Sequence, residues 1–266
     1  MEYLEKLCQE VILISKEAGS YILSEKQNIN QNSIEKKGIN DLVTFVDKTS
    51  EKKIKQKLTL LLPKAGIIAE ESASEAELNT KYTWLIDPLD GTTNFVHGVP
   101  FYSVSIALAC QNEIVLGVVY EPNRNECFYS WKGAPAFLND NVIRISPTKK
   151  LAEALIGTGF PYSDFSVLPQ YLNVFTYLLQ HSRGIRRPGS AAVDLAYVAC
   201  GRFDAFFEYG LHPWDVAAGA FLVQQAGGTA GTFNNTCNYI FGKEIIAANS
   251  FIFNELLTVF GKKYFI

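Results

Sequence analysis

No stretch of this 266-residue chain approaches the roughly 20 consecutive apolar residues that a membrane-crossing helix needs. The opening segment, MEYLEKLCQEVILISKEAGSYIL, sets Glu2, Glu5, Glu10 and Glu17 among its apolar positions, so neither a signal peptide nor a span is expected. An excess of positive charge is also missing. With 24 Lys and Arg against 27 Asp and Glu, the formal charge is -3 and the pI about 5.7. That balance supplies no global basic field for wrapping a nucleic-acid backbone, although a local basic patch stays open. The five cysteines (Cys8, Cys110, Cys127, Cys200, Cys237) are odd in number, widely spaced and without a CxxC pair. Their spacing argues against a zinc or dithiol site and for free thiols in a reducing cytoplasm. A GxxxxGK[ST] loop is absent, as is a GxSxG elbow, which removes the main signs of triphosphate binding and of serine hydrolysis. There is no internal repeat and no low-complexity linker.

Hydrophobic material is plentiful, at 48% of residues, with 19% charged, enough for the core of a soluble globular protein. Leu4, Leu7, Val11, Ile14, Ala18, Tyr21 and Ile22 share one helical face, predicting an amphipathic helix over 3–25. A turn at Gly38–Asp41 precedes Leu42, Val43, Phe45 and Val46, which read as a short strand, and a helix follows from Asp47 to Leu62 with Pro63 as its stop. The runs AGIIAEES, YTWLIDP, FYSVSIALAC, EIVLGVVYEP and CFYSWKG then read as strands. In the third run, Tyr102, Val104, Ile106, Leu108 and Cys110 alternate with the small residues Ser103, Ser105, Ala107 and Ala109, which predicts close packing by another layer on the second face. Beyond a soft division near residue 150, strands and helices alternate: EALIGTGF, helix 167–181, GIRR, SAAVDLAYVACG, FDAFFEYG, PWDVAAGAFLVQQAGG, EIIAANS and a final helix. The helix over 214–227 is apolar nearly all round, as a helix sandwiched between layers would be.

The chemistry concentrates around WLIDPLDGTTNFVHGVP. Asp87 and Asp90 leave the C-terminal end of a buried strand, where ligands of α/β sheets bind, and Pro88 sets a turn that lets both carboxylates converge. Asp90 also has a plain reading as the cap of a helix beginning near Thr92. Gly91-Thr92-Thr93 would present free amides at a helix start, a site for phosphate. AEES places Glu70 and Glu71 after another strand, and alternation lets only one of them join the aspartates. Asp47 reads locally as a helix N-cap. Asp215 begins an almost wholly apolar helix, where it either complements the helix dipole or is buried against a partner such as a divalent cation. Glu70, Asp87, Asp90 and Asp215 form an all-oxygen set without clustered His or Cys, which favours Mg²⁺ over zinc and metal-assisted hydrolysis of a phosphate ester.

The strings IDPLDGTTNFVHGVPFYSVSIAL, AEES and WDVAAGAFLVQQAGG, with NDLVTFVD, RRPGSAAVDLAYVACGRFDAFFE and KGAPAFLNDNVIRIS, resemble the inositol monophosphatase family of magnesium-dependent, lithium-sensitive phosphatases over nearly the whole chain. The resemblance implies an α/β, layered αβαβα sandwich, a single domain whose halves, 1–150 and 151–266, complete one site. It implies that Glu70, Asp87 and the Leu89 carbonyl hold one Mg²⁺, that Asp87, Asp90 and Asp215 hold a second, and that a third lies near Glu70. Asp47 and Thr92 become the pair that orients and deprotonates the attacking water, against the local reading of Asp47 as a cap, and Glu70 joins them in catalysis. Gly91 and Thr92 would hold the phosphate. Gly189, Ser190, Ala191 and Glu208, with Asp90 and Asp215, would meet the substrate, although Glu208 also reads as a solvated strand end. His212 would line the pocket without a catalytic role.

Two features depart from the family pattern or stay open against it. Ala134 and Pro135 replace a usual glycine, altering a turn away from the site, and either Lys36 or Lys37, with Lys37 favoured by spacing, would reach the active-site loop. Arg186 and Arg187 read either as substrate-phosphate contacts or, preferentially, as part of an interface or core ion pair. The expected activity is hydrolysis of myo-inositol monophosphate by a cytoplasmic homodimer that needs neither membrane nor nucleic acid. The same chemistry on 3'-phosphoadenosine 5'-phosphate, fructose 1,6-bisphosphate or histidinol phosphate is the close alternative. A protein that keeps the fold to bind a protein or RNA partner is the alternative from another class.

Overall fold

A computed structural model describes residues 2–28, 34–36, 42–72, 80–111, 113–162 and 164–264. The chain opens with α1 (Glu2–Glu25), whose buried Leu7, Val11, Ile14, Ala18 and Ile22 recur at the predicted helical spacing. The short strands β1 (Ile34–Lys36) and β2 (Leu42–Thr44) pair antiparallel and lead into α2 (Phe45–Leu61). The expected strand through Val46 is thus too long, because the helix starts at Phe45 and its N-cap is Thr44, not Asp47. Thr44 Oγ1 accepts from the Val46 amide at 3.1 Å, and Asp47 returns the bond to the Thr44 amide at 2.8 Å, a capping box with Asp47 at its third helical position.

Then follow β3 (Gly66–Ala69), β4 (Tyr82–Asp90), the short helix α3 (Thr92–Val96), β5 (Ser103–Cys110), β6 (Glu113–Glu121), β7 (Glu126–Trp131), β8 (Phe137–Leu138) and β9 (Asn141–Val142). These seven strands form one sheet in sequence order, with only the β3–β4 pair parallel. The remainder is β10 (Leu155–Thr158), α4 (Leu168–His181), β11 (Gly184–Arg186), α5 (Ala191–Ala199), β12 (Ala205–Tyr209), α6 (Pro213–Gln225), β13 (Thr229–Gly231), β14 (Glu244–Ala248) and α7 (Ser250–Lys263). A second, mixed sheet runs β11-β10-β12-β14-β13.

Three cores hold five layers together, the middle core spanning both faces of one helical layer. α1 and α2 cover one face of the seven-stranded sheet, where Val11, Ile54 and Leu58 meet Trp84, Val104 and Ile106. α5 and α6 fill the space between the sheets, where Ala192, Leu195, Ala217 and Leu222 meet Ala107, Val119 and Phe206. α4 and α7 close the outer face of the five-stranded sheet through Tyr171, Leu178, Phe253 and Phe260. The architecture is an αβαβα sandwich. The alternation read in β5 sorts as predicted, with Val104, Ile106 and Leu108 in the first core and Ala107 and Ala109 in the middle one. The small residues matter because α6 packs directly on that face: a Cβ added at Gly117 of the neighbouring strand would lie 3.0 Å from the Ala218 carbonyl.

All five cysteines are free. Among the described residues, no helix is long and apolar enough to cross a membrane.

Candidate active site

In an ideal strand, residues three apart point to opposite faces, so Asp87 and Asp90 should not meet. β4 solves this with a bulge. Asp87 pairs with Ser105 and Asp90 with Ser103, so three steps along β4 match two along β5. Cross-strand partners share a face, and Ser103 and Ser105 both face the middle layer; the extra residue therefore brings both aspartates to that side. Pro88, which cannot donate to the ladder, sits inside the bulge, and the Leu89 amide donates to Asp87 Oδ1 at 2.9 Å. The strand continues through this irregularity to Asp90 rather than ending before Pro88.

Asp90 does not cap the helix that follows it. That N-cap is Gly91, in the left-handed region at φ 97°, without a side-chain cap bond. The Asp90 carboxylate crosses instead to another helix, accepting from Ser190 Oγ at 2.6 Å and the Ala192 amide at 2.8 Å. It thus sits at the positive end of α5 and ties the seven-stranded sheet to the middle helical layer. Asn94 makes a parallel link, donating to the carbonyls of Phe101 at 2.7 Å and Pro188 at 2.8 Å, which holds α3 against the loop carrying Gly189.

Asp47 is not the cap itself, but its two carboxylate oxygens serve different neighbours. One oxygen takes the Thr44 amide and the Thr44 hydroxyl at 2.6 Å; the other takes the Thr92 hydroxyl at 2.7 Å. Thr92 Oγ1 also lies 3.0 Å from the Leu89 carbonyl, so one proton has two acceptors, the carboxylate nearer. Asp47 is fully buried, and burial raises its pKa against these donors.

Burial, followed by Glu70, Asp90 and Asp215, pushes Asp87 well above the usual carboxylate range. Asp215 is raised too, by burial and then by Asp90 and Glu70, while Asp90 is pushed up to about 6 by burial in spite of its donors. Asp215 keeps part of its surface exposed while its carboxyl is desolvated, and the carboxylate completes a capping box by accepting from the His212 amide at 2.7 Å. Glu70 stands in a 3₁₀ turn, Glu70–Ser72, not in a strand, so strand alternation is not what selects it over Glu71. The turn is anchored from α2, where buried Glu51 accepts from the Glu71 amide at 2.7 Å.

Among the described residues, no three acidic, His or Cys side chains stand in a ready-made coordination sphere. The fold nevertheless sets Glu70, Asp87, Asp90 and Asp215 within one another's fields, where each disfavours ionisation of the next. Four such oxygen donors without His or Cys fit Mg²⁺, whose charge would reverse that mutual penalty.

Glu208, in β12, is 4% exposed, so the solvated-strand-end reading fails. Burial pushes its carboxyl up to about 8, with Arg187 opposing and Asp90 reinforcing. Arg186 and Arg187 are both exposed, which excludes a core ion pair; Arg187 hydrogen-bonds the Tyr162 hydroxyl, and its charge reaches Glu208 and Asp90. Ser190, the N-cap of α5, ties this side to Asp90, with Gly189 before it and buried Ala191 after it. His212 is exposed and stacks on Trp214, 4.7 Å between centroids. Lys37 and the Lys36 side chain lie outside the described residues. An open groove of about 710 Å³ lined by Lys48, Lys52, Lys55 and Leu60 runs along α2, and none of the site residues lines it.

Sequence reasoning missed Asn94, whose place in DGTTN offered a signal, and Asp194, a buried aspartate within α5 whose Oδ1 has no hydrogen-bond partner. An acidic residue in the otherwise apolar AAVDLAYVA was the cue for the second.

A sequence profile of the inositol monophosphatase family matches residues 4–261. The Nus factor SuhB of Pseudomonas aeruginosa is 42% identical over 248 residues, 92% of each chain. Among solved structures, the extragenic suppressor protein suhB from Bartonella henselae superposes with a TM-score of 0.89 at 37% identity, covering 97% of this chain and 99% of that one. The inositol monophosphatase from Anabaena (Nostoc) gives 0.83 at 32% identity, covering 98% and 97%.

Proposed function

The chain belongs to the inositol monophosphatase family, and on that premise we propose that it hydrolyses a phosphate monoester, with myo-inositol monophosphate as substrate and magnesium as cofactor. The observation that carries this reading is the Thr92–Asp47 hydrogen bond set beside the Glu70, Asp87, Asp90 and Asp215 cluster. These four residues and the Leu89 carbonyl would hold two Mg²⁺ ions, with a third beside Glu70. Bound there, magnesium supplies Lewis-acid stabilisation of charge on the phosphoryl group.

The protein's own groups do the rest. By donating to Asp47, the Thr92 hydroxyl turns its lone pairs outward to accept from a water, and Asp47 is the base toward which that proton moves. Gly91 and Thr92 present the first amides of α3, which lack intrahelical acceptors, to the phosphate oxygens. Gly189, Ser190, Ala191 and Glu208 meet the polyol. Held protonated up to about pH 8, the Glu208 carboxyl both donates to and accepts from substrate hydroxyls at neutral pH. The two halves of the chain, 1–150 and 151–266, each contribute to this one site, in a cytoplasmic homodimer that light scattering would test.

The deciding measurement is phosphate release with and without Mg²⁺ from inositol 1-phosphate, 3'-phosphoadenosine 5'-phosphate, fructose 1,6-bisphosphate and histidinol phosphate, comparing wild type with Asp90→Asn. The highest kcat/KM names the substrate class. A relative bearing the name of a factor rather than an enzyme supports a second reading, binding of a protein or RNA partner. Absence of Mg²⁺-dependent release from every ester would leave that reading in place.

A further inference from the structure

α4 lies on the outer face of the five-stranded sheet, away from the carboxylates, yet one of its side chains reaches the substrate end of the site. Tyr171 is fully buried, with its hydroxyl 2.8 Å from the Gly159 carbonyl and 2.8 Å from Thr158 Oγ1. The Thr158 hydroxyl donates to the Phe207 carbonyl at 2.8 Å, which leaves the phenol's one proton for the Gly159 carbonyl. Thr158 ends β10, and Phe207 stands opposite it in parallel β12, immediately before Glu208. One phenol and one hydroxyl therefore tie together the two peptides that flank Gly159 and Glu208.

Among the described residues, no side-chain hydrogen bond holds the Glu208 carboxyl; what locates it is space. A Cβ built on Gly159 would fall directly on that carboxyl, which lies against the bare Cα. Where Glu208 presents its oxygens thus depends on where the Gly159 backbone is held, and Tyr171 holds it.

We propose that Tyr171 is a positioning residue and Gly159 a specificity-determining position for the polyol end of the substrate: the phenol fixes the Gly159 peptide, and the bare glycine seats Glu208. The proposal rests on the phosphatase reading, with Glu208 facing substrate hydroxyls. A side chain at Gly159 would drive the carboxyl off its seat, and loss of the phenol would loosen the seat itself.

The test compares inositol 1-phosphate with p-nitrophenyl phosphate, which carries a phosphate but no polyol hydroxyls, in saturating Mg²⁺. Tyr171→Phe, which keeps the ring, and Gly159→Ala are expected to raise KM for inositol 1-phosphate by about five- to tenfold, the scale of one hydrogen bond. Its kcat, and both parameters for p-nitrophenyl phosphate, should stay within about twofold of wild type on the same scale. Equal effects on the two esters, or none on either, would overturn the proposal. Thr158→Val, which removes the intervening hydroxyl, should give the same split if Tyr171→Phe does not fold. A crystal structure of Gly159→Ala should show a displaced Glu208 carboxyl, and an unmoved one overturns the seat. If wild type releases no phosphate from either ester, the phosphatase reading fails on its own, and the crystal structure still decides whether Gly159 seats Glu208.

Discussion

Thr92 Oγ1 lies 2.7 Å from Asp47 Oδ1, a contact between residues 45 positions apart that ties the first turn of α2 to the first turn of α3. Neither end needs it for structure alone, because Asp47 already closes the α2 capping box and Gly91 caps α3. Thr92→Val keeps the branched shape and removes the donor. Its kcat for inositol 1-phosphate should fall by about 10²- to 10⁴-fold. The stability cost should be about 1 kcal/mol, one hydrogen bond among the three that Asp47 accepts. Phosphate-release kinetics beside calorimetry check both, and a variant with full kcat removes Thr92 from the chemistry.

Asp215→Asn separates metal binding from folding. The amide oxygen of asparagine can still accept from the His212 amide, while one of four mutually repelling carboxylates is removed. Without Mg²⁺ the variant should melt at or above the wild-type temperature. Adding Mg²⁺ should raise the wild-type Tm through ligand linkage and raise that of the variant less. Turnover should drop on the order of 100-fold. Equal Mg²⁺-induced increases in Tm for the two proteins would leave Asp215 as a helix cap only.

Glu208 gives the stability curve a direction. Burial raises its carboxyl from 4.5 to about 8, so between those values the folded chain keeps a proton that the unfolded chain releases. Its contribution is fully present below about pH 4.5, is lost as pH rises toward 8, and changes no further above that. At about 1.4 kcal/mol for each tenfold change in proton affinity, the whole change is on the order of a few kcal/mol. Glu208→Gln cannot ionise and should gain relative to wild type when urea melts at pH 9 are compared with melts at pH 5. A pH-independent difference would mean that the carboxyl is not held in its neutral form.

Gly117→Val tests how tightly α6 is laid on the large sheet. A Cβ there would stand 3.0 Å from the Ala218 carbonyl and 3.1 Å from its Cα, both backbone atoms of a helix that cannot yield locally. The cost should be about 1–3 kcal/mol of overpacking, read as a lower Tm. Because α6 carries Asp215 at its start, Mg²⁺ affinity by calorimetry should weaken as well.

Much of this architecture is legible in particular residues. The alternation from Tyr102 to Cys110 announces both faces of β5 because large and small residues sort cleanly onto different layers, and the all-round apolarity of α6 announces its place between sheets. The α2 cap is legible too, one turn earlier than a lone aspartate suggests: Thr44 and Asp47 carry the T-x-x-D spacing of a capping box, so the threonine is the cap and the aspartate its reciprocal partner. What local patterns cannot carry is where Asp90 ends up. Its partners Ser190 and Ala192 are 100 and 102 positions away, and only the stacking of α5 on the sheet brings them close. Tyr171 is hidden for the same reason, since an aromatic at a buried helical position reads as core until its hydroxyl is followed to Gly159.

The bulge in β4 determines which kinds of mutation this site can survive. Asp87 and Asp90 share a face only because β4 carries one more residue than β5 across that interval. Replacing Leu89 changes packing but leaves the count intact, since a backbone carbonyl remains a carbonyl whatever side chain it bears. Deleting a single residue between the aspartates would restore ordinary pairing and make their separation even. Both carboxylates could still face the middle layer, but the Pro88–Leu89 loop that carries the carbonyl beside Thr92 would be gone. The segment is therefore open to drift in identity and closed to drift in length, so indels here should be purged across descendants even where neighbouring substitutions accumulate.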